Sequence, residues 1–336
     1  MIKFLKVLAF FTSISVIAFA TLVFIFVNTE FSGEKITLEL SNTIAYAPII
    51  FIPEINNTNY DMLEIEEAEK YEKEPVEIPI YLLEEFLSQW PHIAVYFSNI
   101  HNDFSFSFNG DRVYFAASLT KAPFALYIYK RAEVGLTDLS QTHTFLNQYR
   151  TGGSGIIQHK HVYGDEFSQH QLLAYNLFLS DNIATRMLRS IHGYQGFNQF
   201  VRDLGANPTR GPLQYNNITY SRTTAIDSGI MMRAIYDYIA SEQTFSREFL
   251  NNLLNNHYPF FISNYPIASK TGWFNDFGRA WHEMAIVYAP SPFILVALSD
   301  NFGQSRVIES GDTPAFREIS IFFEEFNRTW FPLANQ

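Results

Sequence analysis

The sequence predicts an α+β fold in which strands from both ends of a globular region form one sheet, with a mostly helical region inserted between them. Apolar runs typical of strands occur at residues 93–97 and 104–108 and return at 284–288 and 293–298. Between these runs, residues 117–257 mostly repeat apolar side chains with the period of a helix. Hydrophobic residues make up 47% of the 336 residues and aromatic residues 17%, so the chain can bury a large core and is not wholly disordered.

The first 30 residues predict an N-terminal membrane anchor. Residues 7–27 contain no charged side chain, and a helix of that length can cross the apolar core of a bilayer. Lys3 and Lys6 precede this run, which favours a cytoplasmic N-terminus and an extracytoplasmic remainder. A cleaved signal peptide is the alternative, because residues 18–20 (Ala-Phe-Ala) resemble a cleavage site. The apolar run continues past that site, so we expect an uncleaved, single-pass anchor in the cell membrane.

Residues 31–78 predict an acidic extracytoplasmic stalk between the anchor and the globular region. Residues 54–77 carry nine acidic side chains against Lys70 and Lys73, a net −7 of the total charge of −11. Such a segment repels itself and stays solvated, although an interaction tail is the alternative. The acidic balance gives no attraction for nucleic acid, so no nucleic-acid partner is expected. The absence of cysteine rules out disulfides, thiolate metal sites and a cysteine nucleophile.

Within the globular region, residues 79–336, each further element has a local signal. Residues 81–87 predict an amphipathic helix that precedes the first strand. Asn109-Gly110-Asp111 predicts a turn after the second strand, and Pro290-Ser291-Pro292 predicts a hairpin connection between the last two strands. A final helix is predicted over residues 313–326.

The first of three short motifs is Ser118-Leu119-Thr120-Lys121, which opens a predicted helix over residues 119–132. A serine and a lysine three residues apart lie about one turn apart on one helix face. A partly buried lysine can lose its proton and activate a serine hydroxyl as a nucleophile. The free N–H groups of a helix N-terminus can also stabilise an oxyanion. Alone, the motif is better explained by a helix cap followed by an exposed lysine.

The second motif is Ser180-Asp181-Asn182, which lies between two apolar stretches. There Ser180 could relay a proton to a leaving amine, and Asn182 could hold the substrate amide and contact Lys121. Alone, the motif is better explained as a polar break between two helices, because Ser, Asp and Asn favour caps and turns.

The third motif is Lys270-Thr271-Gly272, in a segment that predicts a strand. Alternation along the strand places Lys270 and Gly272 on one face and Thr271 on the other. A cationic lysine and a hydroxyl suit a substrate carboxylate, and glycine lets a ligand lie close to the backbone. Alone, the motif is better explained by an edge strand with a protective lysine.

In this order and at these spacings, the three motifs resemble the signature of the class A β-lactamases and penicillin-binding proteins. The chain resembles this family of serine hydrolases over about residues 79–334. The segments around the motifs also resemble the family, at residues 114–121, 152–158, 180–185 and 223–225. The resemblance implies an αβα sandwich with a five-stranded antiparallel sheet and an all-helical subdomain at about residues 130–260. It also implies an active site between the two.

The resemblance implies a chemical role for residues of the first two motifs. Ser118 is the nucleophile that becomes acylated, and Lys121 is the base that activates it. Ser180 transfers the proton, and Asn182 orients the substrate. The backbone N–H groups of Ser118 and Trp273 form the oxyanion hole.

For the third motif, the resemblance implies that Lys270 and Thr271 bind the substrate carboxylate beside Gly272. Arg279 is a candidate to assist with the carboxylate, and Trp273 and Phe274 are candidates to line the cleft. No metal and no cofactor is expected.

One part of the family pattern is missing from the sequence. Class A β-lactamases hydrolyse the acyl-enzyme with an omega-loop glutamate that acts through a water, and the matching stretch here, residues 204–226, contains no Glu and no Asp. Gln214, Asn216 and Asn217 are its nearest polar candidates, but an amide cannot take a proton from water near neutral pH. Glu166 lies before the second motif and does not match that loop. Acylation without fast deacylation favours a D-alanyl-D-alanine carboxypeptidase-like enzyme that acts on a cell-wall peptide amide.

Two alternatives stay open: a genuine β-lactamase that hydrolyses β-lactam antibiotics, and a non-catalytic penicillin-binding sensor that benefits from slow deacylation. The expected partners are a peptidoglycan-type peptide or a β-lactam as substrate, and the membrane. His159 and His161 could share a face and bind a metal, but Lys160 between them indicates a solvated loop. His282 and Glu283 are interpreted as a surface or packing pair.

Overall fold

The structure is a computed structural model that describes residues 78–215, 218–274, 280–300 and 313–332. The predicted membrane anchor and nearly all of the acidic stalk lie outside these residues. Within the described ranges, no helix is both long and apolar enough to cross a membrane.

The described residues alternate between helices and short strands along the chain. The helices are α1 (Ile80–Leu87), α2 (Lys121–Glu133), α3 (Ile157–Lys160), α4 (Gln169–Phe178), α5 (Asn182–His192), α6 (Gln195–Asp203), α7 (Ala225–Ala240), α8 (Ser246–Leu254) and α9 (Thr313–Trp330). The strands are β1 (Ile93–Asn99), β2 (Ser105–Phe108), β3 (Tyr114–Phe115), β4 (Thr142–Thr144), β5 (Glu166–Ser168), β6 (Arg210–Tyr215), β7 (Ile218–Thr223), β8 (Ile267–Phe274), β9 (Ala280–Val287) and β10 (Phe293–Ser299).

Five strands form one antiparallel sheet in the order β2–β1–β10–β9–β8. Strand β1 pairs with β10, so the two ends of the globular region meet in the middle of the sheet. The predicted strands at both ends are therefore confirmed, as is the five-stranded antiparallel sheet. The predicted first and last helices are confirmed as α1 and α9, and α9 extends to Trp330.

Two hydrophobic cores lie on opposite faces of this sheet, because side chains alternate along each strand. In β1, Ala94 belongs to the core that the sheet shares with α2 and α7, whereas Val95 and Phe97 belong to the core shared with α1 and α9. Phe97 stacks on Phe323 of α9 with ring centroids 5.1 Å apart. The sheet is thus sandwiched between two layers of helices.

The region between β3 and β8 is not all-helical, which corrects the expectation for about residues 130–260. Strand β4 pairs with β5, and β6 pairs with β7, in small antiparallel sheets separate from the main one. Phe145 after β4 and Phe167 in β5 are almost wholly buried. Burying these rings brings the two segments together, and pairing satisfies their backbone N–H and C=O groups. The domain boundaries themselves stay a prediction.

The stretch that the resemblance assigns to the omega loop, residues 204–226, contains the β6–β7 hairpin. Strand β7 also pairs with β3, which leads directly into the turn that carries Ser118. The side chain of Gln214, and Asn216 and Asn217, lie outside the part of the chain that the structure describes.

Candidate active site

Ser118 lies in a tight turn between β3 and α2. Helix α2 begins at Lys121, two residues later than predicted, so Ser118 precedes the helix rather than lying in its first turn. Ala117 adopts a left-handed conformation with a φ of 46°, which is uncommon for a residue that has a Cβ. The N–H of Leu119 donates to the carbonyl of Ala116 (3.0 Å), and the N–H of Lys121 donates to the carbonyl of Ser118 (3.2 Å). These bonds place the serine and the lysine one turn apart, as predicted.

Lys121 is buried and contacts Asn182, as predicted, and also Ser180. Its Nζ donates to Ser180 Oγ (3.1 Å), to Asn182 Oδ1 (2.8 Å) and to the carbonyl of Ser180. Burial lowers the pKa of Lys121 well below its usual value, and the positive charge of Lys270 lowers it further. The lowered pKa favours the neutral amine, which is the form that a general base requires.

The second motif is held in place by its middle residue. Asp181 is the N-cap of α5, and its Oδ1 accepts hydrogen bonds from the N–H groups of Ile183 (2.8 Å) and Ala184 (3.0 Å). Its Oδ2 accepts from the N–H of Ile157 (2.9 Å), which fastens the motif to α3. Ser180 is left-handed, with a φ of 53°. The motif is therefore a helix cap, as its residue types indicate, and it also presents a hydroxyl and an amide to the lysine of the first motif.

Asn182 is fixed at both ends of its side-chain amide. Its Oδ1 accepts from Lys121, and its Nδ2 donates to the carbonyl of Gly152 (3.0 Å). Its backbone N–H donates to the carbonyl of Ser154 (3.0 Å). To orient a substrate amide as predicted, Asn182 would exchange the Gly152 contact for one with the substrate.

The third motif lies in the edge strand β8, in the strand conformation that the sequence predicts. Lys270 is wholly buried, unlike a protective lysine on an edge strand, and its Nζ donates to the carbonyl of Thr271 (2.9 Å). Burial lowers the pKa of Lys270 to about 7, an effect that the negative charge of Glu283 partly offsets. Thr271 is also buried, and its Oγ1 lies 3.5 Å from Asn256 Oδ1. Both groups that should bind the carboxylate are therefore engaged within the protein.

Gly272 brings β8 against the turn that carries Ser118. A Cβ at this position would lie 3.0 Å from the backbone nitrogen of Ser118, and 3.1 Å from the carbonyl oxygen of Ala116 and the nitrogen of Leu119. These are backbone atoms, which cannot turn aside as the end of a flexible side chain can. The close approach of the two segments therefore leaves little room for a side chain at this position.

We expect Gly272→Ala to displace the Ser118 turn and to slow acylation of Ser118 about tenfold to a hundredfold. Overpacking should also lower the free energy of unfolding by about 1–3 kcal/mol. Acylation kinetics followed by intact mass, together with a denaturant titration, measure the two effects. Gly196→Ala is the control, because a Cβ there meets the end of the Tyr127 ring, not the Ser118 turn. A Gly272→Ala variant that acylates as fast as the wild type would show that the turn tolerates the added methyl group.

The other predicted site residues lie at the end of β8 and beyond it. Trp273 is partly exposed and pairs across the strands with Trp281. Phe274 contacts Phe115 of β3, with ring centroids 5.4 Å apart. Arg279 lies outside the described residues. The structure brings together residues of all three motifs: Ser118, Lys121, Ser180, Asn182, Lys270 and Gly272.

Two buried polar residues of β9 were not assigned to the site from the sequence. His282 and Glu283 are both wholly buried, so of the two interpretations they are a packing pair and not a surface pair. Glu283 Oε2 accepts the N–H groups of Phe260 and Phe261 (both 2.7 Å), and burial raises the pKa of Glu283 to about 7. Two adjacent polar residues carry no signal of burial by themselves, although the apolar runs on either side of them indicate a central strand.

The two histidines of the candidate metal site do not lie in a strand. His159 is in the short helix α3, and His161 directly follows it. The Nδ1 of His161 lies 2.9 Å from Asp165 Oδ2. Within the described ranges, no group of three His, Cys, Asp or Glu side chains could hold a metal ion.

A protein family and several solved structures match the greater part of the chain. The sequence profile of the Beta-lactamase enzyme family (Beta-lactamase2) matches residues 83–320. No curated protein matches the sequence. A β-lactamase structure from Chitinophaga pinensis DSM 2588 superposes with a TM-score of 0.63 and 18% identity, over 73% of this chain and 98% of that one.

Two further solved structures superpose over a similar part of the chain. A β-lactamase from Sphaerobacter thermophilus DSM 20745 has a TM-score of 0.61 and 19% identity, over 72% of this chain and 93% of that one. PBP-A has a TM-score of 0.60 and 19% identity, over 73% of this chain and 95% of that one. At these identities the structural likeness shows a common fold.

Proposed function

The chain belongs to the beta-lactamase enzyme family of serine hydrolases, and we propose that it is a membrane-anchored, extracytoplasmic member that forms an acyl-enzyme at Ser118. The proposed substrate is a cell-wall peptide amide, in a reaction like that of a D-alanyl-D-alanine carboxypeptidase. The observation that carries the proposal is the buried amine of Lys121, hydrogen-bonded to Ser180 and Asn182. That arrangement supports acylation, whereas residues 204–226 offer no acid for fast hydrolysis of the product.

In the proposed acylation, Ser118 Oγ attacks the carbonyl carbon of the scissile amide while Lys121 Nζ takes the hydroxyl proton. We assign the backbone N–H groups of Ser118 and Trp273 to the oxyanion that forms on the carbonyl oxygen. Ser180 Oγ, which accepts a hydrogen bond from Lys121 Nζ at 3.1 Å, passes the proton to the leaving amine. The C–N bond then breaks, the amine leaves, and the acyl group stays on Ser118.

We assign the free carboxylate of the substrate to Lys270 and Thr271, with assistance from Arg279. Because the pKa of Lys270 is about 7, only part of the free protein carries this charge at neutral pH. An incoming carboxylate favours the charged form of the lysine, so binding should take up protons there. Thr271 would turn its hydroxyl from Asn256 towards the substrate.

Slow deacylation is the second half of the proposed function. The first acidic residue after residues 204–226 is Asp227, which is buried in the first turn of α7. Its Oδ2 accepts hydrogen bonds from the N–H (2.6 Å) and the Oγ1 (2.7 Å) of Thr209. The engagement of this carboxylate with Thr209 supports a long-lived acyl-enzyme.

The structural neighbours support penicillin as a probe and give the second candidate function. A mutant of PBP-A, 19% identical over 73% of this chain with a TM-score of 0.59, was solved as an acyl-enzyme complex with penicillin G. Other neighbours are named β-lactamases, so a genuine β-lactamase is the second candidate. A penicillin-binding sensor would share the acylation of Ser118 and the slow hydrolysis of the acyl-enzyme.

The test of the proposed function is a time course of the full-length protein with penicillin G, followed by intact-mass spectrometry. We expect a stable penicilloyl adduct on the wild type and none on Ser118→Ala. Rapid release of hydrolysed penicillin with little adduct would instead identify a β-lactamase. If the protein shows no adduct and no hydrolysis, that result would contradict acylation by this class of ligand. Release of D-alanine from a cell-wall pentapeptide then separates a peptidase from a sensor.

We also propose that residues 7–27 anchor the protein in the cell membrane as a single span, with the catalytic domain outside. The support is the uncharged length of this segment and the two lysines before it. The protein should stay in the membrane pellet after alkaline carbonate washing, and removal of residues 1–30 should release it. A full-length protein that washes off would contradict the anchor.

A further inference from the structure

His282 lies in β9 directly opposite Gly272 of β8. Residues paired in this way point to the same face of a sheet, so the imidazole lies on the face where Gly272 meets the Ser118 turn. The imidazole is wholly buried. The ring of Tyr114, in the strand that leads into the turn, packs edge-on against it with centroids 5.7 Å apart.

Hydrogen bonds fix the protonation of this imidazole. The backbone N–H of Ser299 can only donate, and it lies 3.2 Å from His282 Nδ1, so Nδ1 is the acceptor. The proton of a neutral ring is then on Nε2, which donates to the carbonyl of Phe115 at 2.8 Å. Burial lowers the pKa of His282 to about 4, so this arrangement holds throughout the neutral range.

The carbonyl that His282 holds lies at the end of a short strand. Strand β3 has two residues and pairs with β7 through Tyr114 and Phe115. After Phe115 the chain enters the turn in which Ala117 is left-handed, a conformation that the surroundings must hold in place. The imidazole ties this point to β9 and, through Ser299, to β10 of the main sheet.

We infer that His282 is a positioning residue that fixes the Ser118 turn against the sheet, so that the nucleophile keeps a productive geometry. The inference rests on the proposed acyl-enzyme chemistry at Ser118. His282 acts through the carbonyl of Phe115 and does not touch the reacting atoms. A displacement of about 1 Å in such a site can cost about a hundredfold in rate.

The test compares His282→Asn with His282→Gln in the full-length protein. Glutamine can place an amide N–H near the position of Nε2 and so keep the bond to the Phe115 carbonyl, whereas asparagine is too short to reach it. We expect His282→Asn to lower the acylation rate constant for penicillin G about tenfold to a hundredfold, with little change in the affinity before acylation. His282→Gln should recover most of the rate.

Asn99→Leu is the matched control, because Asn99 is a buried residue of β1 whose Nδ2 donates to Ser291 Oγ (2.8 Å) and Asn327 Oδ1 (2.9 Å). It should destabilise the fold but leave the rate constant of the folded protein within about twofold of the wild type. Equal rates for His282→Asn, His282→Gln and the wild type would overturn the inference. Equal slowing by His282→Asn and Asn99→Leu would also overturn it, because general destabilisation would then explain the loss.

Labelling of Ser118 by a fluorophosphonate reports the geometry of the nucleophile without any need for a carboxylate site. If the wild type forms no penicillin adduct but labels faster than His282→Asn, the proposed function fails and the role of His282 stands. If penicillin acylates the wild type and both His282 variants alike, the proposed function stands and the role of His282 fails.

Discussion

Replacing Lys121 with methionine is expected to slow acylation of Ser118 by penicillin G about 10²- to 10⁴-fold. Methionine keeps a long unbranched side chain in a buried position, so the packing changes little while the amine is lost. Ser118 then loses the group assigned to take its proton. Ser180 and Asn182 lose the donor that now connects them. The acylation rate constant from intact-mass time courses measures this effect.

The wild-type rate should also fall as the pH is lowered, because a lysine acts as a base only in its neutral form. An ordinary lysine, with a pKa of about 10.4, would be almost wholly protonated at neutral pH. Burial and the charge of Lys270 lower the pKa of Lys121 well below that value. Its neutral fraction, and with it the rate, should therefore persist to a lower pH than an ordinary lysine would allow and shrink as acid protonates it.

Lys130→Met is the matched control, because Lys130 is an exposed lysine in the last turn of the same helix. Its acylation rate should equal that of the wild type. If Lys121→Met acylated at the wild-type rate with the same pH dependence, a different group would have to be the base.

Asp181→Ala is expected to destabilise the protein by about 3 kcal/mol and to abolish measurable acylation. One carboxylate accepts three backbone N–H groups, from Ile157, Ile183 and Ala184. Loss of an N-cap costs about 1 kcal/mol, and each buried donor left without a partner costs about 1–3 kcal/mol. For a domain of this size the melting temperature should fall by about 6–12 °C.

Acylation should be lost because Asp181 holds the two neighbours that contact Lys121. Asp181→Asn separates the capping of α5 from the contact with Ile157. Its amide oxygen can still cap α5, whereas its amide nitrogen faces the N–H of Ile157 and cannot accept a hydrogen bond from it. We expect its melting temperature to lie between those of the wild type and Asp181→Ala. Asp138→Ala is the control: Asp138 is exposed and accepts from the N–H and Oγ of Ser140, so its removal should lower the melting temperature far less. Equal melting temperatures for Asp181→Ala and Asp138→Ala would show that the buried carboxylate is not needed for the turn.

The sheet and the motif residues could be predicted because their signals are local. Residues 93–97 and 293–298 are apolar on both faces, which a strand between two helical layers requires. The contact of Asn182 with Lys121 was predicted as well, whereas the contact of Ser180 with Lys121 is seen only in the structure. The approach of Gly272 to the Ser118 turn explains in steric terms why a glycine ends the third motif.

The parts that could not be predicted depend on partners distant in the sequence. The segment over residues 210–223 forms a hairpin because β7 pairs with β3, about a hundred residues earlier. Pairing between such distant segments produces no periodic pattern of apolar residues in the sequence. His282 and Glu283 are polar, so the sequence left open whether they pack inside the protein or lie on its surface. Their side chains are accommodated by backbone groups of Phe115, Ser299, Phe260 and Phe261, which no spacing rule connects to them.

The strand order of the main sheet constrains when the protein can fold. Strand β10 lies between β1 and β9, and its pairing with β1 joins residues 95 and 297. A nascent chain that has emerged only as far as β9 therefore has two separate strand pairs, each with an unpaired apolar edge. High contact order of this kind makes folding slow and leaves strand edges exposed meanwhile. Folding must finish after synthesis of β10, so a chaperone that shields β1 and β9 until then should raise the yield of native protein.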